Sequence, residues 1–84
     1  MRKFIEVDNE GLDSLIGDTV TFFCLNYIYT GKLIGVNDKF VLLENPKIVY
    51  ETGSFKDKDW TDAQSLPNNL YLMLATVESF GIMK

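Results

Sequence analysis

The chain predicts a mostly β domain in which a short N-terminal helix precedes five antiparallel strands. Two observations predict it. The runs TVTFFCLN, YIYTGKLIGV, FVLLEN, KIVYET and LYLMLATV are rich in β-branched and aromatic residues and are broken by Asn, Gly and Pro. The breaks at Leu25-Asn26-Tyr27 and Asn37-Asp38-Lys39 are short enough for antiparallel hairpins.

Taken in order, Asp8 or Asn9 is placed to cap a helix over Glu10 to Ile16, where Leu12, Leu15 and Ile16 share a face and Gly17 is a natural stop. So short a helix needs a larger surface to lie on. The first strand starts at Thr19 and the second at Tyr27. FVLLEN and KIVYET form the third, with Asn45-Pro46 inside it; a proline has no amide to donate, which implies a bulge or an edge there. Residues 53–69 are turn-rich and charged, a single long connection. LYLMLATVESFGIMK returns to strand composition, with a bend expected at Glu78-Ser79 before a very short final strand, Ile82 to Lys84.

At 84 residues, 46% hydrophobic and 13% aromatic, the chain reads as one small globular domain, residues 1–84. Eight Lys and Arg against 12 Asp and Glu give a net charge of -4, which disfavours the phosphate neutralisation behind non-specific DNA binding. The one cysteine, Cys24, excludes an internal disulfide and reads as an inert core thiol. No apolar stretch approaches a membrane span and MRKFIEVDNE does not suit a signal peptide, so the expectation is a soluble, cytoplasmic protein. There is no histidine, the commonest general base and zinc ligand. No activated nucleophile is apparent, and no enzyme, cofactor or metal site is expected. Asp57, Asp59 and Asp62 lack the glycine and distal glutamate of a calcium loop.

The pattern L..L.GDTV followed by Y.GKL.GV resembles the Sm and Sm-like family of small, strongly bent, SH3-like β-barrels. Leu15, Gly17, Val20, Tyr29, Gly31, Leu33 and Gly35 track that family's first motif. The resemblance implies a bent five-stranded barrel with structural glycines at Gly17, Gly31 and Gly35. It also implies a cyclic homo-oligomer in which an edge strand of one subunit pairs with an edge strand of the next. The expected edge residues are Leu70, Leu72, Met73, Leu74 and Ile82, with a dimer as the fallback where the short final strand prevents ring closure.

Family members that bind uridine-rich RNA use an Asp-x-aromatic-x-Asn element and an Arg-Gly pair. Without a gap, Asn37, Lys39 and Val41 fall on the first element; with one inserted residue, Asp38, Phe40 and Leu42 do. Either way the base-reading asparagine is apolar here, and Val77-Glu78-Ser79 stands where hydrophobic-Arg-Gly is expected. A carboxylate repels phosphate and does not stack as a guanidinium does. Asn37, Asp38, Lys39, Phe40, Glu78 and Ser79 are therefore the candidate RNA contacts of a pocket that reads as dismantled.

Tyr27, Tyr29 and Tyr50 offer stacking surfaces for single-stranded bases, though alternating strand tyrosines are more often half-buried packing residues. Trp60, alone in a polar loop, either folds back over one end of the domain, the favoured reading, or anchors a protein partner. The function expected is a non-catalytic oligomeric module with a structural or protein-interaction role. The alternative is an RNA-binding member with a diverged pore.

Overall fold

A computed structural model describes residues 11–84. Among these residues, six strands form one antiparallel sheet that is not closed: β1 (Thr19–Cys24), β2 (Ile28–Val36), β3 (Phe40–Glu51), β4 (Asp62–Ser65), β5 (Leu70–Met73) and β6 (Val77–Gly81). The order is β4-β3-β2-β1-β6, with β5 also paired to β3. The β1–β2 and β2–β3 turns fall at residues 25–27 and 37–39, where the turn residues of the sequence put them.

The helix expected over Glu10 to Ile16 is corrected to one 3-10 turn, Leu12–Leu15. Asp8, Asn9 and Glu10 lie outside the described residues. Gly11 and Gly17 leave too little chain between them for a cooperative α-helix. In a 3-10 turn residues three apart eclipse, so Leu12 and Leu15 stack on one side and pack against the core. Gly17 leaves the turn at φ 100°, a left-handed conformation that disfavours a side chain. Its amide donates to the Leu33 carbonyl at 2.8 Å, extending the β1–β2 pairing.

Residues 53–69 are not one connection, a second correction. β4 lies within them, paired to the end of β3 from Lys47↔Ser65 to Glu51↔Asp62, and β5 continues along the same side of β3 from Leu43↔Leu70 to Phe40↔Met73. The Leu66 amide donates to the Pro46 carbonyl at 2.8 Å between them. β3 thus faces β2 along one side and β4 then β5 along the other, and the five strands expected become six.

The bend expected at Glu78-Ser79 is displaced to a 3-10 turn at Leu74–Thr76, and both residues lie within β6. The Thr76 hydroxyl donates to the Met73 carbonyl at 2.8 Å and the Leu74 amide to the Lys39 carbonyl at 2.9 Å, bonds that an apolar Leu-Ala-Thr run does not advertise. The final strand is accordingly Val77–Gly81 rather than Ile82 to Lys84.

β3 bulges at Asn45-Pro46, where two residues oppose Gly31: Lys32 pairs with Glu44 and Thr30 with Lys47. Asn45 takes φ 51° to make the extra step. A Cβ on Gly31 would stand 3.1 Å from Leu43 Cβ and 3.2 Å from Pro46 Cα, tighter than ordinary packing. Gly35 adjoins a second register shift, but a Cβ there would meet Leu42 Cβ at 3.5 Å, an ordinary contact.

Alternation sends Val20, Phe22, Leu33, Val41, Leu43 and Leu72 to one side, where they form the core. Burial of each contributes about 1.5–3 kcal/mol. Thr21 and Thr30 point to the other side, yet are 1% and 4% exposed. That second face is therefore covered as well.

Candidate functional site

Among the described residues, β5 is bonded only to β3, and β6 only to β1. These consecutive strands, separated by the turn at Leu74–Thr76, each keep one side with no partner strand. An unpaired edge presents a row of amide donors and carbonyl acceptors that another strand satisfies. Of the expected edge residues, Leu72 belongs to the core at 6% exposed, Leu70 and Leu74 are half-buried, and Met73 and Ile82 are 51% and 59% exposed.

A groove of about 350 Å³ runs between Leu70–Met73 and the β1–β2 turn. Its walls carry Leu25, Tyr27, Tyr71 and Met73, all exposed large apolar side chains. Tyr27 continues the patch through edge-on contacts with Tyr29 and Tyr50 at centroid distances of 6.3 and 6.2 Å. A contiguous apolar surface beside an open strand edge is the character of an interaction site.

The candidate RNA contacts are divided. Asn37, Asp38 and Lys39 are exposed at the β2–β3 turn, but the Asn37 carboxamide is engaged there, accepting from the Lys39 and Phe40 amides at 2.8 and 2.9 Å. Phe40 is half-buried and stands edge-on to Tyr71, centroids 5.3 Å apart. Glu78 and Ser79 are exposed on β6 beside the end of β1. The Leu74–Lys39 backbone bond brings the β2–β3 and β5–β6 turns together, and Lys39 is the one basic side chain among the residues of the two turns.

Cys24 lines the groove and is half-buried, its thiol 3.9 Å from the Phe22 carbonyl. Burial pushes its pKa up, the Glu78 charge adds to this, and a hydrogen bond with Thr76 acts the other way. A thiol held protonated is a poor nucleophile. Burial likewise raises the Tyr29 phenol, helped by Cys24, Tyr27 and Tyr50.

The chain matches no family model and no curated protein.

Trp60 folds back rather than standing free. Its ring meets Phe55 edge-on at 5.9 Å, and Phe55 reaches Phe23 of β1 at 6.3 Å. Lys84 closes this arrangement: its Nζ lies 4.6 Å from the Trp60 centroid and donates to the carbonyls of Thr52, Ser54 and Asp59 at 2.8, 2.9 and 3.0 Å. Charge-assisted bonds and two aromatic faces hold the connection between β3 and β4 against the second face of the sheet. Sequence reasoning had no signal for Lys84, which lies 25 residues from its nearest bonded partner. It also missed Leu25 and Tyr71, because a groove wall assembled from distant strands has no local pattern. Among the described residues, no group of three or more His, Cys, Asp or Glu is placed to hold a metal ion, and no helix is long and apolar enough to cross a membrane.

Proposed function

We propose that the protein is a non-catalytic module of the Sm-like type that assembles with copies of itself, edge strand to edge strand, and serves as a structural or protein-interaction component. The observation that carries this reading is that β5 and β6, consecutive strands of one sheet, each keep an unpartnered edge among the described residues, as β4 also does. A subunit offering β5 to its neighbour's β6 leaves the same two edges free at the ends of the pair, so the contact is head-to-tail and repeats until it closes. Met73, Tyr71 and Phe80 are the exposed apolar side chains on those strands, and burying them adds the hydrophobic term to the backbone pairing. The Sm-like assignment itself rests on the sequence pattern together with Gly31 opposite the β3 bulge. Mass measured in solution across a range of concentrations tests the assembly.

The second reading, an RNA-binding member with a diverged pore, is favoured by one observation: the Leu74–Lys39 bond that brings its two candidate turns together. The charge balance opposes it.

A further inference from the structure

The second face of the sheet carries a cavity of about 340 Å³ between β1, β2 and β3 and the connection bearing Trp60. Lys32, Lys47, Lys58 and Lys84 line it, four of the eight basic residues of the chain. Among the described residues, one carboxylate, that of Asp59, belongs to the lining with them. In a protein of net charge -4 this is a concentrated reversal of sign. Lys32 and Lys47 are held on one face by the bulge at Asn45-Pro46, since Thr30 and Lys32 flank Gly31 on β2 and Lys47 pairs with Thr30. Glu44 is the cross-strand neighbour of Lys32 and the nearest offset to its charge in the pairing.

The lysines play different parts. Lys84 Nζ already donates to three carbonyls, so it supplies a fixed positive charge in the wall. Lys32, Lys47 and Lys58 are exposed residues that line the cavity. Thr19 and Asn45 add neutral polar groups at the rim, and Trp60 an aromatic wall.

We propose that this cavity is a binding site for a small, multiply charged phosphate anion of the pyrophosphate or nucleoside diphosphate class. Lysines that line a concave surface recognise phosphate oxygens as point charges. The volume sits at the lower end of ligand pockets, which suits a compact anion. A long nucleic acid would extend beyond the lysines of the cavity in a chain of net charge -4, so the small ligand is favoured over a polymer. The site is separate from the strand edges, and its test does not depend on assembly.

Trp60 is the only tryptophan and provides the reporter. The intact protein is titrated with sodium pyrophosphate and, separately, with ADP, following Trp60 fluorescence and backbone amide shifts. Saturable changes centred on Lys32, Lys47 and Lys58 are expected. Lys47→Glu, on an exposed side chain, should weaken binding by about tenfold or more, the scale of one charge-assisted hydrogen bond. Lys39→Glu, at the β2–β3 turn, should leave it unchanged. No saturable change up to millimolar pyrophosphate or ADP would overturn the proposal. So would equal weakening by Lys39→Glu, or binding of oligonucleotides but of neither small anion.

Discussion

Phe40 stands edge-on to Tyr71, with ring centroids 5.3 Å apart and planes at 86°. The aromatic side chain best placed by sequence to stack on a base is thus already engaged with its cross-strand diagonal neighbour. Freeing it costs the favourable edge-to-face contact, about 0.5–1.5 kcal/mol.

Uridine-rich RNA should therefore bind weakly or not at all. Asn37 is tied into its own turn, Glu78 contributes repulsion, and the net charge is -4. Filter binding or fluorescence anisotropy with short oligo-uridine checks this. Submicromolar affinity near physiological salt would restore the RNA-binding reading.

Substitution at the bulge should separate the two β2 glycines. Gly31→Val forces a side chain against Leu43 and the Pro46 backbone, whereas Gly35→Ala makes only an ordinary contact with Leu42. Overpacking of this kind costs about 1–3 kcal/mol, and each kcal/mol lowers the melting temperature of a domain this size by roughly 4–8 °C. Thermal melts should show a marked loss for Gly31→Val and a small change for Gly35→Ala. Equal melting temperatures would contradict the close approach of β3 to Gly31.

Alkaline pH should destabilise the fold. Thiols and phenols ordinarily ionise near 9.0 and 10.0, and both Cys24 and Tyr29 are raised above those values in the folded protein. The unfolded chain therefore releases these protons first as pH rises, so the contribution of these two groups to stability is level below about pH 9 and falls above it. Chemical denaturation at a series of pH values measures this. Cys24→Ala should remove the earlier part of the decline, and a stability that rises between pH 9 and 10 would contradict the burial of both groups.

What was legible in the chain and what was not divide along the range of the interactions. β1, β2, β3 and their two turns follow from local composition, because β-branched runs and Asn-rich breaks act within a few residues. The bulge at Asn45-Pro46 was legible too, since a proline inside a strand must interrupt the ladder. β4 was hidden: Asp62-Ala63-Gln64-Ser65 has little β propensity and becomes a strand through its pairing with β3. The turn at Leu74–Thr76 was hidden for the converse reason, being made of residues that suit a strand. Of the candidate site, an open edge along LYLMLATV was expected beside a short final strand at Ile82 to Lys84, whereas the last strand is Val77–Gly81. The Lys84 clamp and the lysine cavity, drawn from four separated positions, could not be anticipated from any window of sequence.

Met73 and Leu72, adjacent on β5, should respond oppositely to charge. Met73 is 51% exposed and Leu72 is 6% exposed in the core. Met73→Lys should keep the fold, by circular dichroism and melting, while removing the apolar contact at the edge. Leu72→Lys should unfold the domain by burying a charge. A Met73→Lys protein that unfolds as readily would place Met73 in the core instead.

Light scattering coupled to size-exclusion chromatography, run on the purified protein from low to high micromolar concentration, tests edge-to-edge assembly most directly. The expected result is a mass of two or more times the 9.6 kDa chain, reduced toward a single chain by Met73→Lys. A strict monomer at high micromolar concentration, or an assembly untouched by Met73→Lys, would contradict association through β5.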